Sequence, residues 1–536
     1  MKACILTLLV ALSVNLLHAQ TAEPIASYTL NEIAEIIADF NVPGGLLQPE
    51  FEVNVYKVSY TTTHPNGEEW PVTGALAIPV GLTCELPLSS YQHGTIARKT
   101  DAPSYLSDEA MLGVIGASIG IVTAMPDYIG LGDSPGLHLY VHADSEALTS
   151  LDMLRAVRDL RDELGFALND QLFLWGYSQG GHATMALHKL IEEAHADEFT
   201  VTASAPMSGP YDVSGVQAEV LVSDQPYPTP GYLPYILLGY QEVYGNLYTS
   251  LDEVFLPQYA AVIPDLFDGT NSMGFINNQF PSVPSQMLQP SIIEAYETNP
   301  DHPIHAALAD NDVYDWAPQA TTRLYYCTGD DQVSYLNSEV CLAAMAANNA
   351  PDVLGFNGGD LDHGGCAPFS LLGGFILFSN LAEFAFDFEV DVDLTSPSPG
   401  QSDGSITVTL DDDDAVIVWD GGFTGNTLSE LGAGSYSYTV ISSTGCERTY
   451  TVVLDEAVGV LGLNSDGFHL WPNPTTEYLR FSKPYARAEV YSLSGKQLIE
   501  LTQPDERIDV AHLPAGVYVL RINGEHMVRF MKMDAY

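Results

Sequence analysis

The segment Gly176-Tyr177-Ser178-Gln179-Gly180 is where residue types and spacing in this chain point most directly to chemistry. The apolar run Leu172-Phe173-Leu174-Trp175 before it reads as a buried strand, and the stretch from Gln179 to about Ala194 reads as a helix, so Ser178 is expected on a sharp strand-to-helix turn. Such a turn is strained and crowded by neighbouring strands, which is why glycines flank the serine. The following helix points its positive end at any oxyanion formed there. A serine hydroxyl attacks poorly unless a histidine takes its proton and an acid orients that histidine. Two later loops supply both groups. Asp330-Asp331 follow the strand candidate Arg323-Cys327, and Asp362-His363 follow Val353-Phe356. Of the 14 histidines, His363 is the one in such a position, at the C-terminal end of a strand. Either Asp330 or Asp331 could be the acid. The spacing Asp330-x-x-Val333, followed by Tyr335 and Asn337-Ser338, favours Asp330 and leaves Asp331 solvated; Asp362 reads as a turn residue.

An oxyanion needs two backbone donors. One is the N–H of Gln179, directly after the serine. The other is assigned to Thr95 in Tyr91-Gln92-His93-Gly94-Thr95, the loop after the third strand, where His93 reads as a structural residue holding the loop. This constellation predicts acyl transfer to water through an acyl-enzyme, with no cofactor and no metal.

The elements that must position these residues are strands alternating with helices, the pattern of a mostly parallel sheet. Eight strands are predicted: Val53-Tyr60, Val72-Ile78, Leu86-Tyr91, Ile119-Ala124, Leu172-Gly176, Thr200-Ala205, Arg323-Cys327 and Val353-Phe356. The clearest helix is Ser145-Leu164, where Leu148, Leu151, Leu154, Ala156, Val157 and Leu160 recur at helical spacing. From Tyr211 to about Pro318 the alternation stops. A strandless stretch of roughly a hundred residues, rich in Tyr, Leu, Pro and Asn, is too long for a loop and reads as a mostly helical cap over the sheet. After the linker Thr395-Ser396-Pro397-Ser398-Pro399-Gly400 the pattern changes to Thr, Ser, Val, Gly and Tyr with frequent turns, which predicts two β-sandwich domains, at about 391–456 and 460–536.

Composition narrows the setting. With 69 acidic against 18 basic side chains the surface is anionic, which excludes a nucleic-acid partner. Met1-Lys2, the apolar run Ala3 to Leu17 and His18-Ala19-Gln20 have the layout of a signal peptide, so the mature chain is expected to start near Thr21. No later apolar run is long enough for a transmembrane segment; the nearest, Phe369 to Leu381, is broken by Gly373-Gly374 and Asn380. Export leaves Cys84, Cys327, Cys341, Cys366 and Cys446, enough for at most two disulfides. Cys327 and Cys366 flank the acid and histidine loops, and a bond between them would brace the site; Cys341 competes for either. Other features read blandly. Asp127-Tyr128-Ile129-Gly130-Leu131-Gly132 is a glycine-shaped loop beside the pocket, and the run Asp411 to Asp414 is a solvated turn without the alternating ligands of a calcium loop.

The ordered motifs Tyr91-Gln92-His93-Gly94-Thr95, Pro126-Asp127-Tyr128-x-Gly130-x-Gly132-Asp133-Ser134, Gly176-Tyr177-Ser178-Gln179-Gly180-Gly181-His182 and Asp362-His363-x-x-Cys366 resemble the secretory-lipase-like branch of the α/β-hydrolases. The resemblance implies an α/β fold, an α/β-hydrolase sheet with a helical cap inserted between the sixth strand and the acid, and a lipase or esterase activity on a small-molecule or lipid ester. Because that branch shades into peptidase-like relatives, a serine peptidase of the same fold is the alternative reading, and a non-catalytic surface adhesin the second. The segment 391–456 is similar to the short immunoglobulin-like, SprB-like repeats of Bacteroidetes surface proteins. Residues 460–536, through Pro472-Asn473-Pro474, Leu493-Ser494-Gly495-Lys496 and Leu513-Pro514-Ala515-Gly516-Val517-Tyr518, resemble a type IX secretion sorting domain. That implies passage through periplasm and outer membrane by the type IX machinery, to the cell surface or the medium. The expected organisation is a signal peptide at 1–20, a catalytic domain at 21–388 with its cap at about 211–318, and the two β domains.

Overall fold

A computed structural model describes residues 20–40, 47–82, 84–384, 390–398, 400–411, 415–442 and 447–455, and beyond these 470–471, 475, 477–481, 487–492, 496–501, 507–514, 516–523 and 526–532. Residues 1–19 of the expected signal peptide, residues 412–414 of the acidic run, Gly445-Cys446, Pro472-Asn473-Pro474 and Leu493-Ser494-Gly495 lie outside the described residues. The chain divides into two compact units, one formed by Met1–Leu394 with Ile406–Ser429 and Ser435–Val453, the other by Thr395–Ser405, Glu430–Gly434 and Leu454–Tyr536.

In the first unit nine strands form one sheet: β1 (Thr21–Tyr28), β2 (Val53–Thr63), β3 (Glu69–Pro79), β4 (Glu85–Gln92), β5 (Val122–Pro126), β6 (Ala167–Tyr177), β7 (Val201–Met207), β8 (Thr321–Tyr326) and β9 (Val353–Asn357). Their order is β1-β2-β3-β5-β4-β6-β7-β8-β9. The pairs β1·β2, β2·β3 and β3·β5 are antiparallel, and the pairs from β5 through β4, β6, β7 and β8 to β9 are parallel. The sequence reading gives eight of these strands and misses β1. That strand carries Pro24, and its register on β2 shifts between Pro24 and Ala26. A proline that cannot donate to a ladder is tolerated at a sheet edge beside such a shift, and it hides the alternation by which a strand is recognised.

Both faces of the sheet are covered. On β6, Leu172 and Leu174 belong to one apolar core and Phe173 and Trp175 to the other, the alternation a pleated strand imposes. The Leu174 face is covered by α3 (Ala143–Leu164) and α4 (Gln179–Ala194), which contribute Leu151, Leu154, Val157, Met185 and Ile191. The Trp175 face is covered by α1 (Leu30–Asp39), α2 (Asp108–Ser118) and the helix His363–Leu381, which contribute Ile33, Ile37, Val114, Ile115, Phe375 and Phe378.

The last of these helices is continuous through Gly373-Gly374, where the sequence suggests a break. Side chains there would overlap the Tyr325 ring and the Met207 side chain, so the glycines permit close approach of helix to sheet. By length and composition this helix could cross a membrane. Its Phe375 ring lies 5.0 Å from Trp175 and its Phe378 ring 4.8 Å from Phe173, as the covering layer of a sheet requires. Each such buried phenylalanine contributes roughly 1.5–3 kcal/mol.

Between β7 and β8 the chain runs through short helices, of which the longest are Tyr232–Tyr244 and Pro290–Thr298. They enclose an apolar core of their own that includes Leu233, Ile236, Tyr240, Phe255 and Ile263. Among the described residues of the C-terminal part, every regular element is a β-strand. Two three-stranded sheets fall between Val390 and Leu454, and a three-stranded and a four-stranded sheet fall between Leu470 and Lys532. In the latter region Leu479, Val490, Ile508, Leu520 and Phe530 form the core.

Candidate active site

Ser178 sits between β6 and α4 with φ 62° and ψ −122°, a conformation that only an over-determined backbone holds in a residue with a Cβ. The turn is fixed by the Ser178 N–H, which donates to the Met207 carbonyl of β7 at 2.9 Å, and by its tight surroundings. A Cβ at Gly176 or Gly180 would overlap the Gln92 carbonyl at the end of β4, so only glycine lets β4 and α4 close on the serine.

The acid and histidine loops meet beside it. His363 is the first residue of the helix His363–Leu381, capped by the Asp362 side chain, which accepts from the Gly365 N–H at 2.7 Å. His363 Nδ1 lies 2.9 and 2.8 Å from the two Asp330 carboxylate oxygens. Asp330 Oδ1 also accepts from the Gln332 and Val333 N–H groups, at 3.0 and 2.8 Å. Of the two candidate acids, Asp331 takes a different place: its carboxylate accepts the His363 backbone N–H at 3.2 Å. Asp330 therefore meets the ring and Asp331 the main chain. A carboxylate on Nδ1–H leaves Nε2 as the basic nitrogen. Cys327 and Cys366 are joined by a disulfide and Cys341 is free and buried, so the bond ties the acid loop to the first turn of the histidine helix. Cys84 is also disulfide-bonded. Among the described residues no group of three or more His, Cys, Asp or Glu side chains is placed to hold a metal ion.

Of the two expected oxyanion donors, Gln179 is the first residue of α4, so its N–H precedes the helical hydrogen-bond ladder. In the β4 loop the Gly94 N–H is taken by Glu109 Oε2 at 3.2 Å, and Thr95 follows with its Oγ1 2.9 Å from the Tyr140 hydroxyl. His93 is fully buried between the Gly94 and Asp127 carbonyls, at 2.7 and 3.2 Å, and so holds the loop.

Sequence reasoning did not single out the residues that surround these groups. A small cavity reaches Ser178 and Gln179 and is lined by Tyr140, Val141, Tyr232 and Val333 together with Leu221 and Ile236. Beyond it, within the cap, an apolar chamber is lined by Leu233, Leu237, Val254, Leu288 and Ile292, and again by Leu221 and Ile236. These two side chains are the wall between the spaces. The cap also holds the acid loop. Gln332, two residues after the acid, accepts on its carbonyl from Tyr227 Oη at 2.8 Å and from Gln217 Nε2 at 3.2 Å, and on its side chain from Tyr232 Oη at 3.1 Å. Cap tyrosines looked like bulk in the sequence; the only available signal was their number.

This sheet, with a strained serine elbow and a histidine and acid from the loops after its last two strands, defines an α/β-hydrolase. The secretory lipase family matches residues 108–342, and the secretion system C-terminal sorting domain matches residues 469–533. The rice cell wall degrading esterase LipA from Xanthomonas oryzae is 30% identical, over 67% of this chain and 97% of that one, with a TM-score of 0.60. A hydrolase from Legionella pneumophila is 27% identical, over 67% and 97%, with a TM-score of 0.64. Candida antarctica lipase A in its closed state, 15% identical over 67% and 81% with a TM-score of 0.52, shares the fold. No protein with a curated description matches the chain. The chain belongs to the secretory lipase family and carries a type IX secretion C-terminal sorting domain. It is a secreted hydrolase of the lipase and esterase group, exported to the cell surface or beyond.

Proposed function

We propose that this protein cleaves esters of apolar carboxylic acids through an acyl-enzyme on Ser178. His363 Nε2 takes the hydroxyl proton as Ser178 Oγ attacks the ester carbonyl, Asp330 holds the resulting imidazolium, and the Gln179 and Thr95 N–H groups stabilise the tetrahedral oxyanion. The C–O bond to the alcohol breaks as His363 returns the proton to the leaving oxygen. Water then attacks the acyl-enzyme with His363 as base, and the acid departs as Ser178 regains its proton. The Asp330 carboxylate on His363 Nδ1 at 2.8 Å carries the reading, since it provides the oriented base a serine nucleophile needs.

The substrate class rests on the apolar chamber. Its lining is aliphatic apart from Tyr296 and Glu297, and burial of each methylene against it favours binding by about 0.8 kcal/mol. In this reading residues 21–388 are the catalytic domain with the cap at about 211–318, and residues 391–456 are an immunoglobulin-like repeat. Residues 460–536 engage the type IX machinery. Ser178→Ala should abolish hydrolysis of p-nitrophenyl esters and labelling by a fluorophosphonate while leaving the melting temperature near that of the parent. Turnover that survives the substitution would overturn the mechanism.

A further inference from the structure

The residue after the nucleophile is held by its side chain as well as by its helix. Glu146, in the first turn of α3, is 1% exposed. Its Oε1 accepts the Val141 N–H at 3.0 Å and Gln179 Nε2–H at 2.6 Å, and its Oε2 lies 3.4 Å from His182 Nδ1. The second hydrogen of the Gln179 amide meets His138. His138 Nδ1 is 2.9 Å from the Ile129 carbonyl, which can only accept, so the ring proton sits on Nδ1 and the bare Nε2 accepts from Gln179 Nε2 at 2.7 Å. Burial pushes the His138 pKa down to about 3, in keeping with a neutral ring. Both amide hydrogens of Gln179 are therefore engaged, and the amide cannot flip without facing its carbonyl oxygen toward Glu146. Gln179 Oε1 is buried and has no partner among the described residues, so the nitrogen side alone fixes the orientation. The same segment braces the other donor, since Tyr140 Oη lies 2.9 Å from Thr95 Oγ1.

We propose that Glu146 and His138 are positioning residues, which clamp the Gln179 side chain by both amide hydrogens and thereby hold the Gln179 peptide N–H where the oxyanion forms. The inference rests on the oxyanion role given to Gln179 in the proposed function. Preorganised donors act only if they are already aimed when charge develops. Gln179 follows a residue at φ 62°, so its peptide is flanked by strained backbone that a freed side chain would let relax.

The test is a double-mutant cycle on the full chain, with p-nitrophenyl butyrate as substrate. Glu146→Leu removes the carboxylate that takes one Gln179 amide hydrogen at similar bulk, and Gln179→Ala removes the clamped side chain while leaving the peptide N–H. Each should lower kcat by roughly tenfold or more, short of losing a donor outright, with KM within about threefold. The double variant should be no slower than Gln179→Ala alone, because two substitutions acting through one group do not add. Should Glu146→Leu fail to fold, His138→Asn takes its place in the same cycle. Tyr60→Phe, which removes a buried hydrogen bond from Tyr60 Oη to the Thr149 carbonyl of α3 and touches none of the clamp's hydrogen bonds, is the control and should leave kcat within about twofold. Additive losses, an unchanged kcat in either single variant, or an equal loss in the control would overturn the clamp. Fluorophosphonate labelling of the parent at Ser178 separates the two readings: without labelling the serine mechanism itself falls, whereas labelling with additive losses removes the clamp alone.

Discussion

The Tyr177 hydroxyl donates to the His363 carbonyl at 2.5 Å, and the Tyr177 ring lies 4.8 Å from the imidazole. The residue before the nucleophile thus holds the backbone of the histidine. Burial, followed by the nearby Asp330 charge, raises the Tyr177 pKa well above that of a free phenol, so the group remains a donor throughout the working pH range. Tyr177→Phe should cost about 1 kcal/mol of stability, the usual worth of one neutral hydrogen bond, and lower kcat more than it changes KM. Melting curves and steady-state kinetics together check this; a stability loss with unaltered kcat would show that the contact serves the fold alone.

The division of labour between the two acids makes an asymmetric prediction. Asp330→Asn should lower kcat by on the order of 10³ to 10⁴, as expected when the group orienting a catalytic histidine is lost. Asp331→Asn keeps an oxygen able to accept the His363 N–H and should stay within about tenfold of the parent. Equal losses at the two positions would contradict the assignment of Asp330.

The Cys327–Cys366 bond has a sequence separation of 39 and ties together the acid and histidine loops. The double variant Cys327→Ser, Cys366→Ser should lose about 2–4 kcal/mol of stability and show a lower kcat at temperatures where it is still folded. Urea unfolding of the double variant beside the parent measures the loss, since reductant would also open the disulfide of Cys84. If activity proved indifferent to reduction under conditions that release both thiols, the brace would have no catalytic role.

Leu221 and Ile236 separate the serine cavity from the cap chamber. Leu221→Ala should merge the two spaces and shift the preferred acyl chain toward longer p-nitrophenyl esters, each further buried methylene being worth up to about 0.8 kcal/mol in kcat/KM. A chain-length series from acetate to palmitate measures the shift. An unaltered profile would argue against the chamber as the acyl site.

Acid should weaken the fold through buried histidines. Burial lowers His138 to about 3 and His142 to about 4. Below about 6.5 the unfolded chain takes up protons that these rings refuse in the folded state, so their contribution is present above that pH and falls away as pH drops toward 4 and then 3. His142 Nδ1 also caps α3 by accepting the Ser145 N–H at 3.2 Å, a contact its protonation ends. His142→Asn keeps a capping side chain and does not titrate. It should therefore lose less melting temperature between pH 7 and 4.5 than the parent, and an identical loss would remove His142 from the account.

Much of this was legible in the sequence because it rests on local rules. The helix boundaries Gln179–Ala194 coincide with the reading, and β6 was visible as an apolar run ending in glycine. The loops of Asp330 and His363 could be placed because a parallel sheet delivers its loops to one edge. What stayed hidden depends on contacts distant in sequence. Glu146 reads as an ordinary first-turn acid of α3, and nothing near it shows that Gln179 will arrive 33 positions later. Leu221 and Ile236 read as cap bulk, since which side chains form a partition depends on how short helices without a strong periodicity fold together. β1 was lost to its proline, and the continuous helix under His363 to glycines whose purpose is clear only beside Tyr325 and Met207.

The cap leaves the sheet after Met207 and returns at Thr321, on strands that pair directly through Ala203↔Thr321 and Met207↔Tyr325. Its two ends are thus anchored on adjacent parallel strands, at opposite ends of the pair, and whatever lies between them can lengthen, shorten or be exchanged without moving the register of the sheet or the serine elbow. Descendants of such a chain are free to try new diets while inheriting the same reaction.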